Sequence, residues 1–466
     1  MTRDVEFTAL VREGDLSSSV LASSSLPPSE PRDERDVAYW SCFALGAGLL
    51  FPWNAYISAV DYFASLYPRE HVDRAFGVLY FTPNLASLCA VLRFGDRVEP
   101  NARIRAGYAA FLLCLSVPAM STSLAPTYVS VALTGVADAV CQGSLFGVVG
   151  IMPERFTQAL MGGTSFSGLV VSALRVFSKA AFADSNEGAR DGAVAYFVVS
   201  ALWVGACLAI FSHLERTPIF EHHRRKHDQE KARETRGDRA PLSGGAVPGR
   251  TLSSAAETDA TSDTRGGSFG GSASVTSSHC ETRVEDASSR VRWSLVVSIV
   301  RRIWPHASTV FSVYAVTLSI FPGVLAEDVR NEKLGDWYPV LLILCFNAFD
   351  VVGKMIPSWW PRGFEVLAKR PRTVAAASAA RLFFVPAFLA VSKTSSFASP
   401  ALVDSPAACA LLVASLGLTN GWYSSVGMMC APKAVAAKHA ETCGTVMVLF
   451  LVAGLAAGAA CGWLWV

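Results

Sequence analysis

Again and again this chain runs for about twenty residues with almost no charge, the length a helix needs to cross a hydrocarbon core of ~30 Å. Such runs fall near 38–62, 75–94, 106–124, 127–152, 158–182 and 192–213, then near 303–325, 337–359, 374–392, 405–429 and 441–465. That makes about eleven spans on the length criterion. The runs are too long for barrel strands and do not alternate with period two. An all-α integral membrane fold is expected, with six helices followed by five. Composition agrees: 52% of the 466 residues are hydrophobic and 17% charged, against about 25% charged in an ordinary soluble domain. A formal net charge of +2 argues against a large nucleic-acid surface.

The polar stretches divide the chain into a tail (1–37), a first bundle (38–213), a long insert (214–302) and a second bundle (303–466). The tail has no early apolar core, so no signal peptide is expected. Loops carrying Arg93, Arg97, Arg103 and Arg105, then Arg362, Lys369, Arg370 and Arg372, then Lys433 and Lys438 all fall on one side, whereas AEDVRNEKLGD on the other leans acidic. The positive-inside rule places the N-terminus in the cytoplasm, and an odd number of spans places the C-terminus outside. The insert opens with HHRRKHDQEKARETRGDR and turns Ser-, Thr- and Gly-rich. Composition of this kind buries too little apolar surface to offset ordering, so a disordered cytoplasmic linker is expected. Its basic opening reads as a solvated exit rather than a lipid contact.

Ten of the eleven cysteines lie in or at the ends of apolar runs, and Cys280 alone lies in a polar stretch. Such thiols act as small hydrophobes. With neither CxxC nor HExxH pairing, no disulfide framework, metal site or cofactor is expected.

The informative residues are the ones oil rejects. In FNAFDVVGK, Asn347, Asp350 and Lys354 stand at i, i+3 and i+7, one face of a helix. That face either locks neighbouring helices through an ion pair or lines a polar cavity. Ionisable groups within a span favour the cavity. In GVADAVCQGSLFG, Asp138 and Gln142 are one turn apart; the amide suits a nucleobase edge or, equally, a neighbouring helix backbone. Arg175 and Lys179 follow in the next span. Lys179 is placed to snorkel, and Arg175 is expected to pair with Asp138. Pro52 should kink the first span beside Trp53, which can serve as packing or as a planar stacking wall. Gly454, Gly458 and Gly462 form a ladder for close helix packing.

Together, FPWNAYISAVDYF, QGSLFG, FNAFDVVGK, ARLFFVP, NGWYSSVGMMCAPK and AETCG, in that order along the chain, resemble the equilibrative nucleoside transporters. ADAVCQGS and SGLVVSALRVFSKA look closer to the plant and protist branch. The resemblance implies a six-plus-five bundle related to the major facilitator fold, with a central site between its halves. It implies that Gln142 contacts the nucleobase, that Asp350 contacts the ribose with Asn347 one turn away, and that Trp53 lines the pocket. Arg381, read as the cytoplasmic end of the ninth span, then serves an inner gate. Lys354 stands where the family usually has arginine, and lysine lacks the planar fork. Ribose selectivity is thereby weakened, and free nucleobases become plausible cargo.

The expected protein is therefore a transporter rather than an enzyme, since no nucleophile–base pair occurs. It moves nucleosides down their gradient by alternating access, as a monomer in the plasma membrane. No GxxxxGK[ST] is present to couple it to ATP. The competing readings are a proton-coupled carrier of nucleobases or other small solutes, and a membrane receptor or channel.

Overall fold

Apolar runs of this length leave the backbone no hydrogen-bond partner but itself, and helices follow. The structure is a computed structural model that describes residues 31–67, 72–120, 123–181, 186–237, 274–321, 334–335, 337–391 and 405–462. These residues form helices and no strand. The first bundle contains α1 (Val37–Ser58), a short α2 (Val60–Leu66), α3 (Val72–Phe94), α4 (Pro100–Met120), α5 (Leu124–Gly150), α6 (Glu154–Ala181) and α7 (Asn186–Leu214). Then come α8 (Pro218–Gly237), α9 (Ser274–Ile320), α10 (Trp337–Trp359) and α11 (Pro361–Ala368). The chain closes with α12 (Pro371–Ala379), α13 (Phe384–Val391), α14 (Pro406–Cys430) and α15 (Ala440–Gly462).

Seven helical spans among the described residues are long and apolar enough to cross a membrane by length and composition. The other expected spans, within α1, α4, α9 and α14, are helical too but do not meet that mark. In the first half α1 lies along α6 and α7, and α5 is flanked by α3 and α4. In the second, α9 packs on α15 and α14, and α10 on α14. The halves meet where α6 touches α10 and where α5 touches α15.

The tract read as a structureless linker is helical at both of its described ends. Residues 238–273 lie outside the described residues, as do most of the N-terminal tail and the acidic loop after α9. Composition hid two local supports. In α8, Arg225 pairs with Glu221 and Arg224 with Asp228, both at i, i+4, and Ile219 and Phe220 are buried anchors at its start. Arg224 also reaches Asn101 at 2.9 Å, tying α8 to the start of α4. As for α9, its 47 residues span roughly 70 Å at 1.5 Å per residue, so its first turns project well beyond the apolar slab.

Close helix approach sets the site. Carbon built onto Gly353, Gly417 or Gly421 would collide with backbone of the facing helix, so α10 and α14 touch main chain to main chain. This brings Asn420 of α14 beside Asp350 of α10. Gly421→Ala is expected to lower the melting midpoint in detergent, since forced overpacking costs about 1–3 kcal/mol. Gly205→Ala is the control, because a methyl there meets nothing within 4 Å. Equal midpoints for the two variants would contradict the close seam.

Candidate functional site

Between the halves lies a cavity of about 210 Å³, lined by α1, α3, α5 and α6 on one side and α9, α10, α14 and α15 on the other. Trp53, Asp138, Gln142, Arg175, Asn347, Asp350 and Lys354 all border it. It reaches toward Ile57, Ser58 and Phe321, near the ends of α1 and α9. The opposite end is closed by cross-half contacts: Lys433 with Glu154, and Arg103 with Glu441 at 3.9 Å.

Asp350 is the hub. Asn420 Nδ2 donates to its Oδ1 at 2.7 Å. The Ser165 hydroxyl donates to Oδ2, and Lys354 Nζ stands 3.4 Å from the same oxygen. A carboxylate offers about four lone-pair positions, so roughly one remains for a ligand. Lys354 also donates to Thr164 Oγ1 at 3.3 Å. Because Ser165 and Thr164 belong to α6, this network crosses from one half to the other. Asn347 adds to it, donating to Ser172 of α6 at 2.6 Å. Ion pair and cavity wall, set against each other in the sequence, are here the same residues.

The second polar wall is built on α5 and α3. Tyr80 and Asn84 donate to Asp138 Oδ2 at 2.9 and 2.8 Å. Arg175 lines the same cavity, but the hydrogen bonds to Asp138 come from these two residues and not from the expected arginine. Three buried acceptors here have no hydrogen-bond partner: Asn84 Oδ1, Asp138 Oδ1 and Gln142 Oε1. Each such atom costs about 1–3 kcal/mol when left unmet. Above them Trp53 stacks on Tyr80, with centroids 4.1 Å apart and planes 22° apart, and Phe81 meets it edge-on. One residue, Tyr80, thus supports both the aromatic wall and the carboxylate.

Arg381 is placed differently from its expected position. It occupies the turn Ala380–Phe383 between α12 and α13, midway along the span Pro371–Val391. Its buried guanidinium donates to Thr419 Oγ1, Val313 O, Thr317 Oγ1 and Leu416 O at 2.8–3.1 Å. Thr317 in turn donates to Asn420 Oδ1 at 2.8 Å. A directed chain therefore runs Arg381–Thr317–Asn420–Asp350, and such chains polarise cooperatively. Arg381 is a strut of the second half. Lys179 lies over the Trp337 ring at 5.7 Å, so it meets an aromatic face as well as the span's end.

Sequence reasoning missed Tyr80, Asn84, Ser165 and Asn420. Tyr80 and Asn84 stood one turn apart in an apolar run, the same signal that marked Asp138 and Gln142. Serines in a span carry little signal, because a hydroxyl can bond its own helix.

Residues 128–466 match a family model described as nucleoside transporter. Equilibrative nucleotide transporter 1 of Arabidopsis thaliana is 34% identical over 450 residues, covering 94% of this chain and 87% of the relative. Equilibrative nucleotide transporter 8 of the same plant is 31% identical, covering 94% and 97%. Among solved structures, the major facilitator superfamily proton:xylose symporter XylE, bound to 6-bromo-6-deoxy-D-glucose, aligns with a TM-score of 0.53 at 11% identity, covering 93% of this chain and 89% of XylE. That likeness concerns the fold.

Proposed function

The chain belongs to the nucleoside transporter family, and on that premise we propose that it carries nucleosides down their gradient through the cavity between its halves. The observation that carries this reading is the division of labour on the cavity wall. Asp350, held at the seam by Lys354, Ser165 and Asn420, retains room for a sugar hydroxyl. The opposite wall holds the unmatched acceptors of Asn84, Asp138 and Gln142, which suit the N–H groups of a base. Trp53 covers the ring. Nucleobases without ribose fit the same wall and are admitted as cargo. The basic loops face the cytoplasm, the chain works as a monomer in the plasma membrane, and the cavity is the outward-facing state of a six-plus-five bundle.

Uptake of radiolabelled adenosine, inosine, uridine and hypoxanthine into oocytes expressing the chain tests this. Saturable adenosine uptake is expected, running equally in both directions without a proton gradient. Gln142→Leu should weaken uptake roughly tenfold, the loss of about one hydrogen bond to the base, with surface expression unchanged. No uptake of any of the four would leave the receptor reading standing.

A further inference from the structure

A second, smaller cavity lies at the closed end, apart from the central cavity. It holds about 30 Å³ and is polar, bordered by Arg103, Lys231, Arg292 and Lys438 against Asp96 and Glu441. Four cationic side chains thus face two carboxylates. Its walls come from both halves: α3 and α4 of the first, α8, the projecting part of α9, and the start of α15.

Arg292 is anchored there, donating to Leu92 O and pairing with Asp96. His227 stands 3.3 Å from Lys438 O, which fastens α8 to the turn before α15. Arg103 is less well served. Its side chain is 13% exposed, its nearest carboxylate oxygen is 3.9 Å away on Glu441, and its Nε–H has no hydrogen-bond partner. Burial holds the Arg103 and Arg292 guanidinium groups below the ordinary arginine pKa, with Glu441 acting in the opposite direction. Buried guanidinium groups are ordinarily paired and hydrogen-bonded.

We propose that this cavity binds the phosphate group of a phosphomonoester, which bridges the two halves and holds this end shut. The charge fits, because a phosphomonoester carries about −1.5 to −2 at neutral pH and Arg103 brings to the lining a guanidinium whose Glu441 carboxylate stands 3.9 Å away. Size fits as well. The volume holds about two waters, room for one tetrahedral head and not for a nucleoside. Two arginines converging on one space supply the planar donors phosphate prefers. The phosphate can arrive on a soluble molecule or on a lipid headgroup.

The test uses the full chain in phosphatidylcholine nanodiscs, with the melting midpoint as readout. Glycerol 3-phosphate is the soluble probe and phosphatidic acid in the disc is the lipid probe; sulfate and phosphatidylglycerol control for charge alone. A rise in midpoint with either phosphomonoester, exceeding its control, is expected, and the arm that responds names the source. Arg103→Gln should weaken the responding probe at least about tenfold, as for a lost charge-assisted hydrogen bond. Lys231→Gln, on α8, should weaken it more modestly, each variant's rise being read against its own midpoint without probe. No rise over the controls, or an undiminished rise in both variants, overturns the site. Adenosine uptake by the same protein without phosphate reports separately on the transport reading.

Discussion

Asp350→Ala is expected to lower adenosine uptake at least about a hundredfold and also to destabilise the protein. Removing one partner of a buried pair costs about 3–5 kcal/mol, because the other charge is stranded. The stranded group here is Lys354, 3% exposed, whose remaining partners are the hydroxyls of Thr164 and Tyr314. Loss of uptake in that single variant is therefore ambiguous, since a poorly folded carrier also fails. The double variant Asp350→Ala with Lys354→Met separates the two effects. It removes both charges, and an apolar pair of similar bulk is often neutral in a buried site. Partial recovery of the melting midpoint without recovery of uptake is the expected result. Were uptake to return with stability, the pair would be a helix lock, and the ribose would have to bind elsewhere.

The double variant also probes the directed chain from Arg381. With Asp350 gone, Asn420 Nδ2 loses its acceptor while its Oδ1 still receives Thr317. Some stability should therefore remain missing even after Lys354 is neutralised. That remainder combines the bonds that Asp350 accepts from Ser165 and from Asn420 at the end of the Arg381 relay.

How far the sequence reached can be judged from these same residues. Span lengths and the two polar faces were legible because lipid enforces them. A helix period puts Asn347, Asp350 and Lys354 together, and hydrocarbon forbids them to face outward. What those faces bond to was not legible. Ser165 lies 185 positions from Asp350, and no local pattern announces such a pairing. Arg381 misled because a lone arginine beside an apolar run reads as an end marker, whereas four of its five donors are taken by two threonines and two carbonyls inside the bundle. Composition failed for α8 for a different reason. Average polarity ignores i, i+4 pairing and a few anchors such as Ile219 and Phe220, which suffice when a bundle offers a surface to lie on.

Gln158→Leu is expected to have the largest effect on conformation. This fully buried amide of α6 sits beneath the cavity, and both of its ends are bonded. Nε2 donates to Lys354 O at 2.9 Å, while Oε1 accepts from Ser358 at 2.7 Å and Tyr39 at 3.0 Å. Two of these bonds cross from α6 to α10, so they exist only while this end is shut. The exposed cross-half pair Lys433–Glu154 adds little by comparison, since surface pairs contribute about 0–1 kcal/mol. Two net bonds at about 1 kcal/mol each would shift the balance between closed and open states by roughly thirtyfold, enough to turn a state of about 10% into the major one. Leucine keeps the bulk, so packing of α1 on α6 should survive. Spin labels at Arg155 and Arg362, both exposed, report the separation of the halves at this end. A longer distance should become dominant in the variant and shrink again when an excess of adenosine is added with the opposite face occupied. A distance distribution unchanged by Gln158→Leu would show that the apolar contacts of α6 and α10 hold the seam without the amide, and the gate would then have to be sought in the ion pairs after all.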